Sequence, residues 1–187
     1  MAMGKESIVE LKLKLLALLK KEAYKKGKFV LSSGKTSDYY LDGRAITLTP
    51  QGAYFTASII LEMLKDDDIG AVGGPTLGAD PIVGAIACLA QINNIPLKAF
   101  IVRKAAKGHG TQRQIEGPQL EPGLRVALVD DIATSGKALI EAKKALEAAQ
   151  VKVCRAIVIV DREEGAAENL RNSGLKLEPI FSRSDLD

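Results

Sequence analysis

The segment Val126–Leu139, VALVDDIATSGKAL, decides how the rest of the chain can be arranged. Four apolar residues run directly into two adjacent acids, Asp130 and Asp131, and then into small and polar residues. The apolar run predicts a buried strand, and the small polar residues predict a loop that opens a helix. Because two adjacent acids at a buried strand end are costly without a partner, we expect this loop to bind something.

Strands and helices alternate regularly around this segment. The predicted strands are IGAVGG, LKAFIVRK, RVALVDD and KVCRAIVIVD, and the predicted helices cover about 50–64, 80–91, 137–149 and a short stretch from about 165. Asp80 and Pro81 are expected to cap the second of these helices. Continuously apolar strands that alternate with helices are typical of a parallel sheet covered on both faces. The sequence therefore predicts an α/β fold with a central parallel sheet flanked by helices.

The N-terminal region follows a different pattern. Leucines at helical spacing predict a helix to about Tyr24, with Gly27 stopping it. The stretch FVLSSGKTSDYYLDGR then predicts two short strands around a turn, separate from the main sheet. At this length we expect a single domain over residues 1–187, with this helix and the short strands as a small N-terminal unit.

Composition narrows the classes of function. The chain has 187 residues, of which 47% are hydrophobic and 26% charged, and its net charge of +3 does not indicate a surface for nucleic acid. Cys88 and Cys154 lie in apolar runs and are expected to be packed thiols rather than a disulfide or a metal site. Lysines interrupt the leucine-rich N-terminal segment, so we expect neither a signal peptide nor a membrane span, and a cytoplasmic protein.

The loop after the buried strand has the chemistry of a sugar-phosphate site. Thr134 and Ser135 supply hydroxyl donors, Gly136 lets the backbone approach a ligand closely, and the following helix N-terminus favours an anion. The two acids can accept hydrogen bonds from vicinal hydroxyls or lie against a cation-like centre. A Walker A loop is excluded, because its first glycine would fall at Asp131 and Ala138 follows the lysine.

At this point the residues resemble a known family. VALVDDIATSGKAL is similar to the phosphoribosyl pyrophosphate (PRPP) signature of the type I phosphoribosyltransferases, a motif that does not specify the nucleobase. RKAAKGHG has the R-K-x-x-K-x-H-G spacing of the mobile catalytic loop of orotate phosphoribosyltransferases. SSGKTSDYYLDGR resembles the segment that covers the base in that family, and the Asp161–Arg162 pair follows its strand as the family's D-R pair does. The resemblance spans about residues 20–185.

The resemblance implies the type I phosphoribosyltransferase fold, with an N-terminal hood over about residues 1–48 and a mobile catalytic loop over about 104–118. It implies a homodimeric enzyme of pyrimidine (UMP) biosynthesis that converts orotate and PRPP to orotidine 5'-monophosphate and diphosphate. Mg²⁺ would be held mainly by the substrate, with no certain protein ligand. Most of the loop would reach the active site of the partner subunit.

Several residue roles follow from the resemblance. The PRPP-binding residues would be Arg103, Lys104, Lys107, His109, Asp130, Asp131, Ile132, Ala133, Thr134, Ser135, Gly136, Lys137 and Ala138. Of these, Lys107, His109, Asp130 and Asp131 would be catalytic: the acids hold the ribose and the loop cations offset the charge of the leaving pyrophosphate. Tyr40, Thr134 and Arg162 would contact orotate, with Leu41 also against the ring. Taken alone, two tyrosines in a strand, such as Tyr39 and Tyr40, are more often packing residues than ligand contacts.

The sequence departs from the family at two positions. Gly78 stands where many members have a lysine, and Ser32 stands where some members have one. The pyrophosphate would then depend more on the backbone around Thr76–Ala79, on Mg²⁺ and on the mobile loop. Two alternatives stay open: a purine phosphoribosyltransferase, and a non-catalytic regulator that senses PRPP. A dinucleotide-binding oxidoreductase is disfavoured, since no G-x-G-x-x-G turn follows a predicted strand.

Overall fold

The computed structural model describes residues 6–30, 36–104 and 114–187. The α-helices and the strands follow one another along the chain as α1 (Ile8–Leu18), β1 (Tyr24–Val30), β2 (Thr36–Leu41), α2 (Arg44–Thr47), α3 (Pro50–Leu64), β3 (Ala71–Pro75), α4 (Asp80–Ile92), β4 (Lys98–Val102), β5 (Ile115–Glu116), β6 (Arg125–Ala133), α5 (Lys137–Ala148), β7 (Lys152–Asp161), α6 (Ala166–Asn172) and β8 (Leu177–Ser182).

Six of these strands form one sheet in the order β5-β4-β3-β6-β7-β8. Every neighbouring pair is parallel except β4 and β5, which are antiparallel. The strands β1 and β2 form a separate antiparallel pair. Because the carboxyl ends of the parallel strands meet at one edge, the loops that follow β3, β6 and β7 come together there.

Helices cover both faces of the sheet, as the continuously apolar strands predicted. Alternate residues of β6 enter different clusters: Ala127 and Val129 pack with α1, α3 and α4, whereas Val126 and Leu128 pack with α5 and α6. All four side chains are 0% exposed. The apolar run therefore reflects burial on both sides, and the predicted α/β class and flanked parallel sheet are confirmed.

The N-terminal helical segment ends where the leucine spacing predicted. The helix α1 ends at Leu18, a π-helical turn over Leu19–Ala23 continues it, and Tyr24 follows as the first residue of β1. Tyr24 pairs with Leu41 of β2, and its hydroxyl donates to Asp187 at 2.9 Å. Gly27 lies inside β1, where the strand pairing is irregular, and does not stop a helix.

One strand boundary was predicted two residues too early. The strand β6 continues past both acids to Ala133, because Ile132 and Ala133 still pair with β7. Within the predicted loop of about 104–118, Ile115 and Glu116 form β5, which lies at the edge of the sheet and pairs with β4. A two-residue strand carries no periodicity that a sequence pattern can reveal.

Two individual residues also differ from expectation. Asp80 is the first residue of α4 and does not cap it, since the cap position is Ala79 and no side chain bonds there. Cys88 is exposed, because the apolar run around it forms a helix that turns only one face to the sheet; the prediction of a packed thiol was wrong for this residue. Cys154 is half-buried, and both thiols are free.

Within the three described stretches, no helix combines the length and apolarity needed to cross a bilayer.

The packing of α1 gives a direct test of the fold. Leu15 is 0% exposed in the cluster shared with α3, so Leu15→Ala should lower the free energy of unfolding by about 2–5 kcal/mol, the cost of a large-to-small core change. Leu13 lies on the same helix and is 63% exposed, and Leu13→Ala should change it by less than about 0.5 kcal/mol. Urea unfolding measures both, and equal losses would contradict this packing.

Candidate active site

A cleft of about 520 Å³ opens at the carboxyl ends of β3, β6 and β7. This is the edge of a parallel sheet where ligands bind in doubly wound folds. Strand β2 contributes to one wall, so the N-terminal unit and the main sheet form the cleft together. The lining residues are Tyr40, Leu41, Asp42, Arg44, Thr76, Leu77, Gly78, Lys104, Asp131, Ile132, Thr134 and Arg162.

Of the two adjacent acids, Asp131 lines this cleft and Asp130 lies against Gly78, which also lines it. Asp130 is only 8% exposed, and its Oδ1 accepts a hydrogen bond from the N–H of Asp131 at 3.0 Å. Burial raises the pKa of Asp130 well above its usual value, and the neighbouring charge of Asp131 raises it further. Burial also raises the pKa of Asp131, although the N–H of Ile132 and the charge of Arg44 oppose the shift. The pair therefore holds protons more tightly than two exposed carboxylates do.

Two glycines leave room for these carboxylates. A Cβ on Gly78 would overlap one oxygen of Asp130 and one of Asp131. A Cβ on Gly43 would lie 2.8 Å from both the Cβ and the Oδ2 of Asp131, closer than real Cβ atoms approach. A side chain at position 78 would therefore require the carboxylates of Asp130 and Asp131 to move from this arrangement. The loop Thr76–Ala79 consequently brings no charge to the cleft.

The signature loop leads from the acids into α5. Gly136 adopts a left-handed conformation with φ 73°, and a Cβ there would overlap the side chain of Leu170. Asn169 donates from Nδ2 to the backbone oxygen of Ser135 at 3.0 Å, which ties the loop to α6. Thr134 and Ser135 stay exposed at the N-terminus of α5. An anion bound there meets hydroxyls, backbone N–H groups and the positive end of the helix dipole.

Arg162 follows β7 and reaches the same cleft. Its Nε donates to the hydroxyl of Tyr39 at 2.8 Å, and its Nη2 pairs with Glu164 at 2.8 Å. Its guanidinium carbon lies 4.8 Å from the centre of the Tyr39 ring, and its side chain is only 10% exposed. The arginine is therefore held by Tyr39 and Glu164 where it lines the cleft.

The structure brings most of the predicted site together. Tyr40, Leu41, Lys104, Asp131, Ile132, Thr134 and Arg162 line the cleft. Asp130 lies against it beneath Gly78, and Ala133, Ser135, Gly136, Lys137 and Ala138 form the adjoining strand end, loop and helix start. Arg103 is not among the lining residues; it pairs with Glu116 at 3.7 Å. Ser32, Lys107 and His109 lie outside the described residues.

Sequence reasoning missed Arg44. This residue lines the cleft, bonds to Asp42 through Nε at 3.1 Å, and its charge opposes the rise that burial causes in the pKa of Asp131. The signal was present in the sequence, since Arg44 ends the quoted stretch YYLDGR three residues after Leu41. With Lys104 and Arg162 it is one of three cationic side chains among the described lining residues.

Comparison with known proteins agrees with this geometry. The phosphoribosyl transferase domain family matches residues 55–176. An orotate phosphoribosyltransferase from Nostoc sp. is 47% identical over 94% of this chain and 85% of that protein. The enzyme of the same name from Aquifex aeolicus is 44% identical over 92% of this chain and 96% of that protein.

Solved structures point the same way. The orotate phosphoribosyltransferase of Mycobacterium tuberculosis in complex with PRPP has a TM-score of 0.78 and 31% identity, covering 94% of this chain and 98% of that one. The same enzyme in complex with Fe(III) dicitrate gives a TM-score of 0.82 and 36% identity, with the same coverage of both chains. By sequence and by fold, the chain belongs to the phosphoribosyltransferase family and, within it, to the orotate phosphoribosyltransferases.

Proposed function

We propose that this chain transfers the 5-phosphoribosyl group of PRPP to orotate, giving orotidine 5'-monophosphate and diphosphate for UMP synthesis. The observation that carries the proposal is one cleft where an acid pair, a loop that opens a helix and an arginine held by Tyr39 come together. Those three parts match the ribose, the 5'-phosphate and the carboxylate of orotate. We further propose that residues 1–187 form one domain, with a hood over about 1–48 and a catalytic loop over about 104–118.

The roles of the chain's own residues follow from their positions. Asp130 and Asp131 would accept hydrogen bonds from the ribose hydroxyls and stabilise the positive charge that develops at the anomeric carbon. The loop from Ala133 to Ala138 would hold the 5'-phosphate at the N-terminus of α5. Arg162 and Thr134 would fix orotate, with Tyr40 against its ring. Such a displacement needs positioning and charge stabilisation more than a strong base.

Mg²⁺ fits the ligands that this site offers. Across residues 6–30, 36–104 and 114–187, no group of three or more His, Cys, Asp or Glu could hold a metal ion. Protein-bound Mg²⁺ usually keeps several waters and is held by one or two carboxylates together with substrate phosphates. We propose that PRPP supplies most of its ligands beside Asp130 and Asp131. Bound there, Mg²⁺ would offset the charge of the pyrophosphate.

The pyrophosphate also needs cations from the protein, because the loop Thr76–Ala79 has none. We propose that Arg103, Lys104, Lys107 and His109 supply them, as the family resemblance implies. The resemblance also implies that most of this loop acts in the site of a partner subunit. The working unit would then be a homodimer, with each active site assembled from two chains.

The substrate can be tested directly. Purified protein should consume orotate, seen as a loss of its ultraviolet absorbance, only when both PRPP and Mg²⁺ are present. Adenine and xanthine, offered under the same conditions, should not be converted. Turnover of either purine without turnover of orotate would move the chain to a purine-specific role, and tight PRPP binding without any turnover would indicate a regulator.

The shared loop predicts complementation between inactive subunits. Lys107→Ala and Asp131→Asn should each reduce kcat by about 100-fold or more, since each removes charge stabilisation at the reacting centre. If the loop acts in the partner's site, mixing the two after dissociation should restore about a quarter of wild-type activity, because half of the dimers then contain one intact site. Exposed Lys176→Ala is the matched control. No recovery on mixing would place the loop in its own subunit's site.

The raised pKa of Asp130 predicts a stability that depends on pH. A carboxyl whose pKa is raised by folding stabilises the fold at low pH, and this contribution is lost as pH rises through the raised value. Asp130→Asn removes the buried charge and should raise the free energy of unfolding by about 1–3 kcal/mol near neutral pH, with a smaller gain in acid, while turnover falls. Urea unfolding at about pH 5 and about pH 8 measures this pH dependence.

Asp66 is exposed, so Asp66→Asn is the matched control and should leave the free energy of unfolding unchanged at both pH values. A less stable Asp130→Asn protein near neutral pH would show that the carboxylate is compensated in the fold.

A further inference from the structure

Tyr39 is the centre of a cluster of side chains that includes Arg162, which lines the cleft. Tyr39 is 5% exposed, and its hydroxyl accepts from Arg162 Nε and donates to Glu164 at 3.0 Å. The guanidinium carbons of Arg162 and Arg183 both lie 4.8 Å from the centre of its ring. The ring of Tyr24 lies 5.6 Å away, centre to centre. One aromatic ring thus joins the cleft arginine to an arginine near the end of the described chain.

The side chain of Arg183 is itself held in place. It pairs with Asp187 at 3.3 Å and lies 3.9 Å from Asp38 of β2. Asp187 in turn accepts a hydrogen bond from the hydroxyl of Tyr24. With 29% of its side chain exposed, Arg183 is neither a free surface residue nor a core residue.

The backbone around Arg183 is fixed as well. It begins a single 3₁₀ turn, Arg183–Leu186, which Ser182 caps through two hydrogen bonds of 2.8 Å to Asp185. The N–H of Ser184 donates to Glu163 at 3.1 Å, and Glu163 directly follows Arg162. The turn therefore contacts the arginine loop through its backbone and Tyr39 through a cation.

We propose that Arg183 is a positioning residue for orotate: it fixes the Tyr39 ring, and Tyr39 fixes the guanidinium of Arg162. The inference rests on the proposed function and deepens it, since it assigns a part in base recognition to a residue outside the cleft lining. A free arginine samples many rotamers and must be ordered when it binds a carboxylate. The Tyr39 cluster orders Arg162 in advance, so orotate meets a prepared donor.

The effect of Arg183 should be confined to orotate. The residues assigned to PRPP lie on β6, on the loop into α5, at the start of α5 and on the segment after β4. The side chain of Arg183 contacts Tyr39, Asp38 and Asp187, none of which belongs to that set. A residue that only stabilised the fold would change the handling of both substrates. The two Michaelis constants therefore separate a positioning role from a structural one.

The experiment is steady-state kinetics of Arg183→Met, which keeps side-chain length but removes the cation. The KM for orotate should rise about 3- to 10-fold, within the range expected for loss of a cation–π contact, while kcat and the KM for PRPP change less than about twofold. Arg183→Lys should recover part of the loss, because an ammonium group also lies favourably over an aromatic face.

A double variant tests the route of the effect. In a Tyr39→Leu background the ring is absent, so adding Arg183→Met should cause no further rise in the KM for orotate. Arg171→Met, which removes an exposed arginine of α6, is the matched control and should change neither Michaelis constant. Melting curves establish that each variant is folded before kinetics are compared.

An unchanged KM for orotate, an equal rise in both Michaelis constants, or additive effects in the double variant would each overturn the proposal. Absence of orotate turnover by the wild-type protein would instead refute the proposed function. The two failures are therefore distinguishable.

Discussion

The burial of two neighbouring carboxylates at the end of β6 is the constraint on which the rest of the site depends. Asp130 is buried and Asp131 half-buried at the end of the strand that forms the centre of the sheet, and among the described residues backbone N–H groups and the charge of Arg44 compensate them. At positions 43 and 78 the backbone lies so close to the acids that a Cβ would require one or both carboxylates to move. The acid pair in this position therefore favours glycine in two segments that are distant from it along the chain.

The same arrangement separates two kinds of recognition. In the proposed function the ribose phosphate would be bound mainly by backbone and short side chains at the end of β6 and the start of α5, where a helix N-terminus favours an anion. Orotate would be bound by a long side chain, Arg162, which contacts Tyr39 of β2, and Tyr39 in turn contacts Arg183 of the turn after β8. The first site is intrinsic to the sheet and helix. The second is assembled from remote parts of the chain.

This difference explains how much could be predicted from sequence. Val126–Leu139 contains strand, acids, loop and helix in one continuous run, so its structure and chemistry could be predicted together. Arg162 was predicted because it directly follows a buried strand. Its contact with Tyr39 was not, and neither was that of Tyr39 with Arg183, since these residues lie far apart in sequence and a pattern carries no information on such pairs. The prediction that Cys88 is packed was wrong for a related reason. An apolar run predicts burial, but a helix buries only the face that meets the sheet.

The continuation of β6 through the acids also bears on how this chain can change in evolution. Successive side chains of a strand point to opposite faces, so inserting or deleting one residue between Arg125 and the acids would move the residues on one side of the change to the opposite face. Either apolar side chains would then face the wrong helices, or the two carboxylates would exchange positions. A substitution changes one side chain, whereas a change of length displaces several at once. Between Arg125 and Ala133, chain length therefore constrains the fold more strictly than the identity of any one apolar residue does.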